Sequence, residues 1–387
     1  MRQTSLNDPV NLARDLIRRP SVTPADAGAM DIVEQALAAL GFTCRRMRFG
    51  EIENLYARRG QTGRNLCFAG HTDVVPVGDA AAWTRPPFAA EIAESLIWGR
   101  GAVDMKSAIA AYIAATADAI DAGEANGSLS FLITGDEEGQ ARDGTRAVVA
   151  QLIAEGERID HCLVGEPTSS ARLGDMIKVG RRGSLNAWIT VEGVQGHVAY
   201  PDRAANPAPI LTRLLTRLDA HLLDEGYSQF QPSNLEITEI EIGNPAQNII
   251  PARARARLNI RFNPAHTGAS LIEWLEAECR TAAQGFKGEV MLDPAISGEA
   301  FLTEPDGFVE ACIAAIRAET GETAALSTTG GTSDARFIRD LCPVIEFGLV
   351  GTTMHMVDER APVAEVEALS RIYRRIIKTY FTAGTAQ

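Results

Sequence analysis

The amino-acid sequence predicts an α/β protein with a largely parallel sheet, into which a smaller α+β domain is inserted. Short, bounded apolar runs at 66–69, 129–134 and 162–164 are typical of strands that are buried on both faces. Apolar residues at helical spacing separate these runs, and the pattern of elements changes near residue 183. Strands that alternate with helices favour a parallel sheet with helices packed against it.

Two helices are predicted between the strands of the N-terminal half. The first contains apolar residues at helical spacing from Met30 to Leu40 and ends before Gly41, a residue that commonly follows a helix. The second spans 109–120, where isoleucines recur on one face.

The middle of the chain has a different order of elements. The predicted elements are a strand at 184–193, a helix at 207–223, strands at 234–242 and 252–262, a helix at 269–282 and a strand at 288–292. This βαββαβ order is that of a ferredoxin-like sandwich. A helix around 306–319 and the apolar run 343–350 then return to the earlier pattern. We therefore expect a discontinuous first domain formed by 1–182 and 297–387, with 183–296 inserted as a second domain.

Composition excludes several classes of protein. The chain has 387 residues, 45% of them hydrophobic and 22% charged, which is ordinary for a globular enzyme of more than one domain. Its formal net charge of −13 disfavours binding to nucleic acid or to anionic membrane surfaces. The first residues lack the pattern of a secretory signal, and the six cysteines include no CxxC pair. We expect a cytoplasmic protein without disulfides or membrane spans.

Potential metal ligands follow the predicted strands at five separate places. They are His71 and Asp73 in FAGHTDVVP, Asp104 in GRGAVDMK, Glu137 and Glu138 in TGDEEG, Glu166 in VGEPT, and His355 in TTMHMVDE. Loops at the carboxyl ends of parallel strands converge on one crevice, so these side chains are expected to meet. Imidazoles and carboxylates together suit a borderline cation such as zinc, and such a set can hold two ions that share one carboxylate.

The two adjacent glutamates are expected to have different roles. Successive side chains of extended backbone point in opposite directions, so one of Glu137 and Glu138 is expected to bind metal and the other to act as a general base. Each motif alone has an ordinary explanation, such as a hydrogen-bonded loop histidine or an acidic helix cap. Their joint placement at strand ends favours metal catalysis. By contrast, His161, His221 and His266 have no such context and are expected to be structural.

Over essentially its whole length, the sequence resembles the M20 family of metallopeptidases. Besides the ligand motifs, the matching segments are GRRGSLNAWITVEGVQGHVAYPDRAANP, QNIIP and GGTSDARF. The resemblance implies a zinc-peptidase-like catalytic domain with two Zn²⁺ ions per subunit, for which Co²⁺ can substitute. It also implies the ligand sets: His71 and Glu166 for one ion, Glu138 and His355 for the other, and Asp104 as the bridge.

The resemblance also assigns roles beyond the metal ligands. It implies that Asp73 orients His71 and that Glu137 is the general base. It implies that the inserted domain is a dimerisation lid of a homodimer. His197, in the GVQGH segment of that lid, would then reach the partner's active site and stabilise the oxyanion.

The substrate implied by the resemblance is N-succinyl-LL-2,6-diaminopimelate, hydrolysed to succinate and LL-2,6-diaminopimelate in lysine and diaminopimelate biosynthesis. This substrate carries three carboxylates, so a protein with a negative net charge is expected to bind it through guanidinium groups. Arg181, Arg182 and Arg261 are candidates. The other substrate-binding residues that the resemblance implies are Ser184, Tyr200, Asn248, Gly330, Gly331 and Thr332. A row of alternating arginines is instead expected to face solvent: Arg253, Arg255 and Arg257.

The sequence is compatible with three alternatives. Another M20 deacylase, such as an acetylornithine deacetylase or an aminoacylase, would share every metal ligand. Members that act on the succinylated substrate often have Asn and Lys where this chain has Gly351 and Met356, which affects only the choice of acyl substrate. A two-metal phosphoesterase is less favoured because no cationic group adjoins the ligand motifs. A non-enzymatic relative would be expected to have lost Glu137 or a ligand.

Overall fold

The computed structural model describes residues 5–244 and 246–382. The backbone divides into two compact units. The first unit runs up to Val179, includes Thr303–Ser327 and resumes at Ser333. The second consists of Gly180–Leu302 and Thr328–Thr332.

The α-helices of both units are numbered in chain order. They are α1 (Pro9–Ile17), α2 (Ala29–Ala39), α3 (Lys106–Asp121), α4 (Thr145–Ala154), α5 (Pro207–Asp219), α6 (Gly268–Ala283), α7 (Gly307–Thr320), α8 (Ala335–Ile338) and α9 (Val363–Thr382). Side-chain caps begin several of them, since Asp8 accepts a hydrogen bond from the N–H of Asn11 and Asp306 accepts from those of Phe308 and Val309.

The strands are numbered in the same way. They are β1 (Thr43–Phe49), β2 (Ile52–Arg59), β3 (Asn65–His71), β4 (Glu91–Ala93), β5 (Leu96–Trp98), β6 (Ser128–Thr134), β7 (His161–Val164), β8 (Met176–Lys178), β9 (Gly180–Arg181), β10 (Gly183–Glu192), β11 (Gly196–His197), β12 (Asn234–Glu241), β13 (Ile249–Ile250), β14 (Arg253–Phe262), β15 (Glu289–Gly298), β16 (Phe301–Leu302), β17 (Ala325–Ser327), β18 (Val344–Glu346) and β19 (Arg360–Pro362).

The first unit contains an eight-stranded sheet in the order β1-β2-β6-β3-β7-β18-β8-β17. Its four central strands, β6, β3, β7 and β18, are parallel to one another. Every residue of β3 and β6 is buried, as expected for strands covered on both faces. The predicted α/β fold with a parallel central sheet is therefore confirmed. The antiparallel pair β1 and β2 at one edge was not predicted.

An aromatic cluster under the central strands holds the first unit together. The ring of Phe68 on β3 stacks on Tyr112 of α3 with centroids 4.3 Å apart, and Phe131 and Tyr373 complete the cluster. Helix α3 is rich in alanine and almost entirely buried, so it lies close against the sheet. The carboxyl ends of β3 and β6 are thus fixed by a tightly packed core.

The second unit contains a four-stranded antiparallel sheet in the order β12-β14-β10-β15. Leucines of α5 and α6, such as Leu214 and Leu275, pack with alternate residues of β10 and β14 in one core. The predicted βαββαβ order of elements is present. On the opposite face of β14, Arg255 pairs with Glu241 at 2.6 Å and lies 4.3 Å from the ring centroid of Trp188.

Two further observations concern the helices and the cysteines. Within residues 5–244 and 246–382, no helix combines the length and the apolar composition needed to cross a bilayer. All six cysteines are free thiols, and five of them are buried.

Candidate metal centre

The parallel strands bring the predicted ligands to one edge of the central sheet. His71 is the last residue of β3, and Glu137 and Glu138 follow β6. Glu166 follows β7, while Asp104 lies in the loop that opens α3. His355 completes the set from the turn after β18. The convergence expected of parallel strand ends is the physical reason that residues far apart in the chain meet here.

Asp104 lies at the centre of the cluster. Its Oδ1 is 3.1 Å from Nε2 of His71, and its Oδ2 is 3.2 Å from Nε2 of His355. Glu166 lies on the His71 side, with Oε1 3.8 Å from Nε2 of that residue. Glu138 lies on the other side, with Oε1 2.9 Å from Nε2 of His355. One carboxylate therefore faces two histidine–glutamate pairs.

These side chains form groups of three whose donor atoms all lie within 4.8 Å of one another. One group is His71, Asp104 and Glu166, and a second is Asp104, Glu138 and His355. A third group, His71 with Glu137 and Glu138, does not include Asp104. The first two groups share one carboxylate, which is the arrangement that two cations bridged by a single residue require.

The pKa values in the cluster indicate that positive charge would stabilise its buried carboxyl groups in the ionised form. Burial raises the pKa of the carboxyl groups of Glu137 and Glu166 well above the usual range. Burial also opposes ionisation of Asp104, but its hydrogen bonds with His355 and His71 hold its pKa well below the usual value. Hydrogen bonds with Asp104 and Glu138 raise the pKa of His355 to about 10.

Several carboxylates close to only two imidazoles are costly to bury unless cations neutralise them. Imidazole nitrogens and carboxylate oxygens are also the ligands that zinc takes in catalytic sites. The residues present therefore fit a pair of divalent cations. His355, whose side chain is 44% exposed, leaves the centre open to solvent on one side.

Asp73 organises the centre through two different groups. Its backbone carbonyl accepts a hydrogen bond from Nδ1 of His71 at 2.9 Å, while its carboxylate Oδ1 lies 3.6 Å from that nitrogen. Because Nδ1 donates to this carbonyl, Nε2 is the nitrogen that faces Asp104, and a cation bound there would take the place of the Nε2 proton. The Asp73 carboxylate accepts the backbone N–H groups of Glu137 at 3.3 Å and Glu138 at 3.0 Å. Asp73 therefore fixes both the imidazole and the loop that carries the two glutamates.

Three buried charged residues near the centre were not predicted. The carboxylate of Asp136 accepts backbone N–H groups from residues 140, 142 and 143, which folds the loop after β6. Arg100 and Glu359 form an ion pair of 2.6 Å beside the ligand loops. Both lie inside quoted motifs, GRGAVDMK and TTMHMVDE, and a charged residue within a few positions of a candidate ligand is the signal that could have identified them.

The predicted substrate-binding residues all lie in the second unit. Arg181 is buried, and its Nη1 donates to the carbonyl of Thr329 at 3.1 Å. Gly330 follows with a φ of 102°, and a Cβ there would lie only 2.6 Å from Nη1 of Arg181. Gly330 therefore leaves room for this arginine, and Gly331 and Thr332 follow it in the same loop.

The remaining predicted residues of the second unit fall into two places. Ser184 and Arg261 are opposite one another on β10 and β14. His197 and Tyr200 are exposed, and their ring centroids are 5.7 Å apart. Asn248 lies next to them, since its backbone carbonyl accepts a hydrogen bond from the N–H of residue 198 at 3.1 Å. Nδ1 of His197 accepts the N–H of residue 199 at 3.1 Å, so the neutral ring carries its proton on Nε2.

Comparison with known proteins identifies the family. Residues 67–379 match the model of peptidase family M20/M25/M40. The chain belongs to this family. Among curated relatives, succinyl-diaminopimelate desuccinylase of Caulobacter vibrioides (strain NA1000 / CB15N) is 67% identical over 376 residues, which cover 97% of each chain. The desuccinylase of Phenylobacterium zucineum (strain HLK1) is 66% identical and covers 97% of this chain and 98% of its own.

Solved structures of the M20 family have the same fold at low sequence identity. An M20 family metallo-carboxypeptidase from Sulfolobus solfataricus superposes with a TM-score of 0.77 at 18% identity, covering 96% of this chain and 99% of its own. A dinuclear metal-binding M20 peptidase from Bacillus subtilis gives a TM-score of 0.73 at 15% identity, covering 97% and 98%.

Proposed function

We propose that this M20 chain hydrolyses the amide bond of N-succinyl-LL-2,6-diaminopimelate and releases succinate and LL-2,6-diaminopimelate. The observation that supports this substrate is the sequence identity, 67% and 66% over almost the full length, to relatives named succinyl-diaminopimelate desuccinylase. The reaction belongs to lysine and diaminopimelate biosynthesis. The free cysteines agree with a reducing compartment, and we propose the cytoplasm as the site of action.

We infer a centre of two Zn²⁺ ions, with Co²⁺ as a substitute. His71 and Glu166 would hold one ion, Glu138 and His355 the other, and Asp104 would bridge them, in agreement with the distances from its two oxygens to the histidines. Bound there, the ions would act as Lewis acids that polarise the scissile carbonyl and lower the pKa of a water molecule.

Glu137 is the proposed general base. It belongs to neither of the groups that contain Asp104, yet it lies close to His71 and Glu138 at the cluster. Its carboxylate takes a proton from the attacking water and later delivers that proton to the nitrogen of the leaving amine. Burial raises its pKa, which favours a carboxyl that can hold the proton between the two steps.

We propose that several residues of the predicted set bind the carboxylates of the anionic substrate. The guanidinium groups of Arg181 and Arg261 are proposed to pair with its carboxylates, because planar forks match carboxylate geometry. Backbone N–H groups of the loop at 330–332 offer a further anion site. The hydroxyls of Ser184 and Tyr200 and the amide of Asn248 complete the proposed set by hydrogen bonding.

We further propose that the inserted segment, 183–296, is the lid through which two chains form a homodimer. Strand β12 is an edge of its sheet within the described residues, and Ile240 on that strand is 59% exposed. An exposed edge strand offers unpaired backbone groups to a second chain. The Nε2–H of His197 would then donate to the developing oxyanion in the partner's site.

Mixing two inactive variants tests the action of His197 across subunits. Neither Glu137→Gln nor His197→Ala homodimers should turn over substrate efficiently, whereas heterodimers should contain one site with both intact residues. We expect activity to return on mixing, measured after heterodimers are verified by mass. Verified heterodimers without recovered activity would show that His197 acts within its own subunit.

Turnover on two substrates tests the proposed reaction itself. The zinc-loaded protein and a chelated control are given N-succinyl-LL-2,6-diaminopimelate and N-acetylornithine side by side. We expect zinc-dependent release of succinate with little deacetylation. The opposite preference would replace the substrate by that of another M20 deacylase, and inactivity on both would refute the proposed substrate and leave only the metallohydrolase class.

A further inference from the structure

A buried ion pair connects the two loops that carry the central ligands. We propose that Arg100 and Glu359 are positioning residues that fix the bridging carboxylate of Asp104 relative to His355. Neither is one of the proposed metal ligands, so each would act through the backbone of the residues that do bind metal. The inference rests on the proposed roles of Asp104 and His355.

Glu359 forms hydrogen bonds with the backbone of the loop that contains Asp104. Its side chain is fully buried, and its Oε1 accepts the backbone N–H groups of Val103 at 2.8 Å and Asp104 at 3.1 Å. Its Oε2 accepts from Nη1 of Arg100 at 2.6 Å. A single carboxylate thus fixes the backbone at the bridging ligand and binds the arginine.

Arg100 extends the contact to the turn that carries His355. Its Nη2 donates to the carbonyl of His355 at 3.3 Å, and its Nη1 donates to that of Met356 at 3.3 Å. His355 has a φ of 62°, in the left-handed region that residues with a Cβ occupy at a cost. Contacts outside the turn are therefore needed to keep this backbone in place.

The two halves of the centre depend on this pair to different extents. His71 ends a buried strand, and the carbonyl of Asp73 fixes its ring, so that half has its own support. His355 lies in an irregular turn with a side chain that is 44% exposed. Loss of the ion pair should therefore weaken the metal position of Asp104, Glu138 and His355 more than the other position.

The test compares two arginine-to-lysine variants. Arg100→Lys keeps the positive charge but loses the planar fork that reaches both carbonyls. The control is Arg58→Lys, since the half-buried Arg58 also pairs with a glutamate, Glu157, and donates to a backbone carbonyl, that of residue 60 at 3.1 Å, outside the ligand motifs. Metal affinities are measured by competition with a chromophoric chelator, and Co²⁺ absorption reports the ligand geometry.

For Arg100→Lys we expect one ion to bind as in the parent and the other about 10- to 100-fold more weakly, with an altered Co²⁺ spectrum. The Arg58→Lys control should keep both affinities and the parent spectrum. Two parental affinities and a parental spectrum in folded Arg100→Lys would overturn the inference, as would an equal loss at both positions.

A second variant covers the case in which Arg100→Lys does not fold. In Glu359→Gln the side-chain oxygen can still accept the backbone N–H groups, but the charged contact with Arg100 is lost. The same selective weakening is expected, and unchanged affinities would overturn the inference. A parent protein that binds fewer than two ions would instead refute the proposed metal centre itself, so the two failures are distinguishable.

Discussion

Replacing Glu137 by glutamine removes a proton acceptor with little change in shape. The contacts that hold this loop are made by backbone N–H groups of Glu137 and Glu138 to Asp73, so they persist in Glu137→Gln. General acid–base catalysis contributes about 10²- to 10⁴-fold, which corresponds to roughly 3 to 5 kcal/mol of activation free energy. We expect a loss in kcat near the upper end, because the same carboxylate serves proton removal and delivery.

The assay combines steady-state turnover with metal analysis of the same preparation. Glu137→Gln should retain two ions while kcat falls, whereas the contrast variant Glu138→Gln should lose affinity for the ion next to His355. An empty metal position in Glu137→Gln would make Glu137 a ligand, and a fall in kcat of less than about tenfold would exclude it as the general base.

Three further predictions concern the loop at Gly330, the core and the metals. Gly330→Ala should displace Arg181, because its Cβ would lie 2.6 Å from Nη1, and should raise KM more than it lowers kcat. The control is Gly156→Ala, which also replaces a glycine of positive φ but lies outside the proposed binding residues, and whose Cβ would meet no described atom within 4 Å; it should keep the parent KM. Phe68→Ala should lower the free energy of unfolding by about 3 to 5 kcal/mol in urea titrations, since the ring is fully buried against Tyr112, and a loss below about 1 kcal/mol would contradict the packing. Chelation should lower the unfolding midpoint, because ions at about 100 times their dissociation constant stabilise the folded state by about 2.7 kcal/mol; an unchanged midpoint would contradict metal binding to the folded chain.

The central strands and the grouping of the candidate ligands at their ends were predictable from the sequence. Strands β3, β6 and β7 are largely buried and therefore have short, mainly apolar runs, in which Ser130 on β6 is an internal polar residue. Parallel strands end at one edge, so the ligands after them could be grouped without a structure. The spacing along the chain could not give the distances from Asp104 to the two histidines.

Edge elements were harder to predict for a physical reason. Strand β1 contains Arg45, Arg46 and Arg48, whose long side chains reach solvent or nearby carboxylates, and only Met47 on it is buried. Its apolar alternation is therefore weak. Helix α9 was also not predicted, although its buried face has regular helical spacing, so the signal for it is present in the sequence.

The contacts that organise the centre depend on tertiary structure. Arg100 and Glu359 are 259 positions apart, and no local pattern indicates that they pair. The sequence motif that contains His71 and Asp73 does not show that the backbone carbonyl, rather than the carboxylate, is the nearer acceptor for the imidazole. It also does not show that the Asp73 carboxylate binds the backbone of the two glutamates.

The most direct test of the central claim is anomalous diffraction at the zinc edge from crystals of the zinc-loaded protein. We predict two peaks about 3.5 to 4 Å apart, with one oxygen of Asp104 bound to each ion, His71 on one side and His355 on the other. A single peak, or a second peak that does not contact Asp104, would contradict the shared-carboxylate centre.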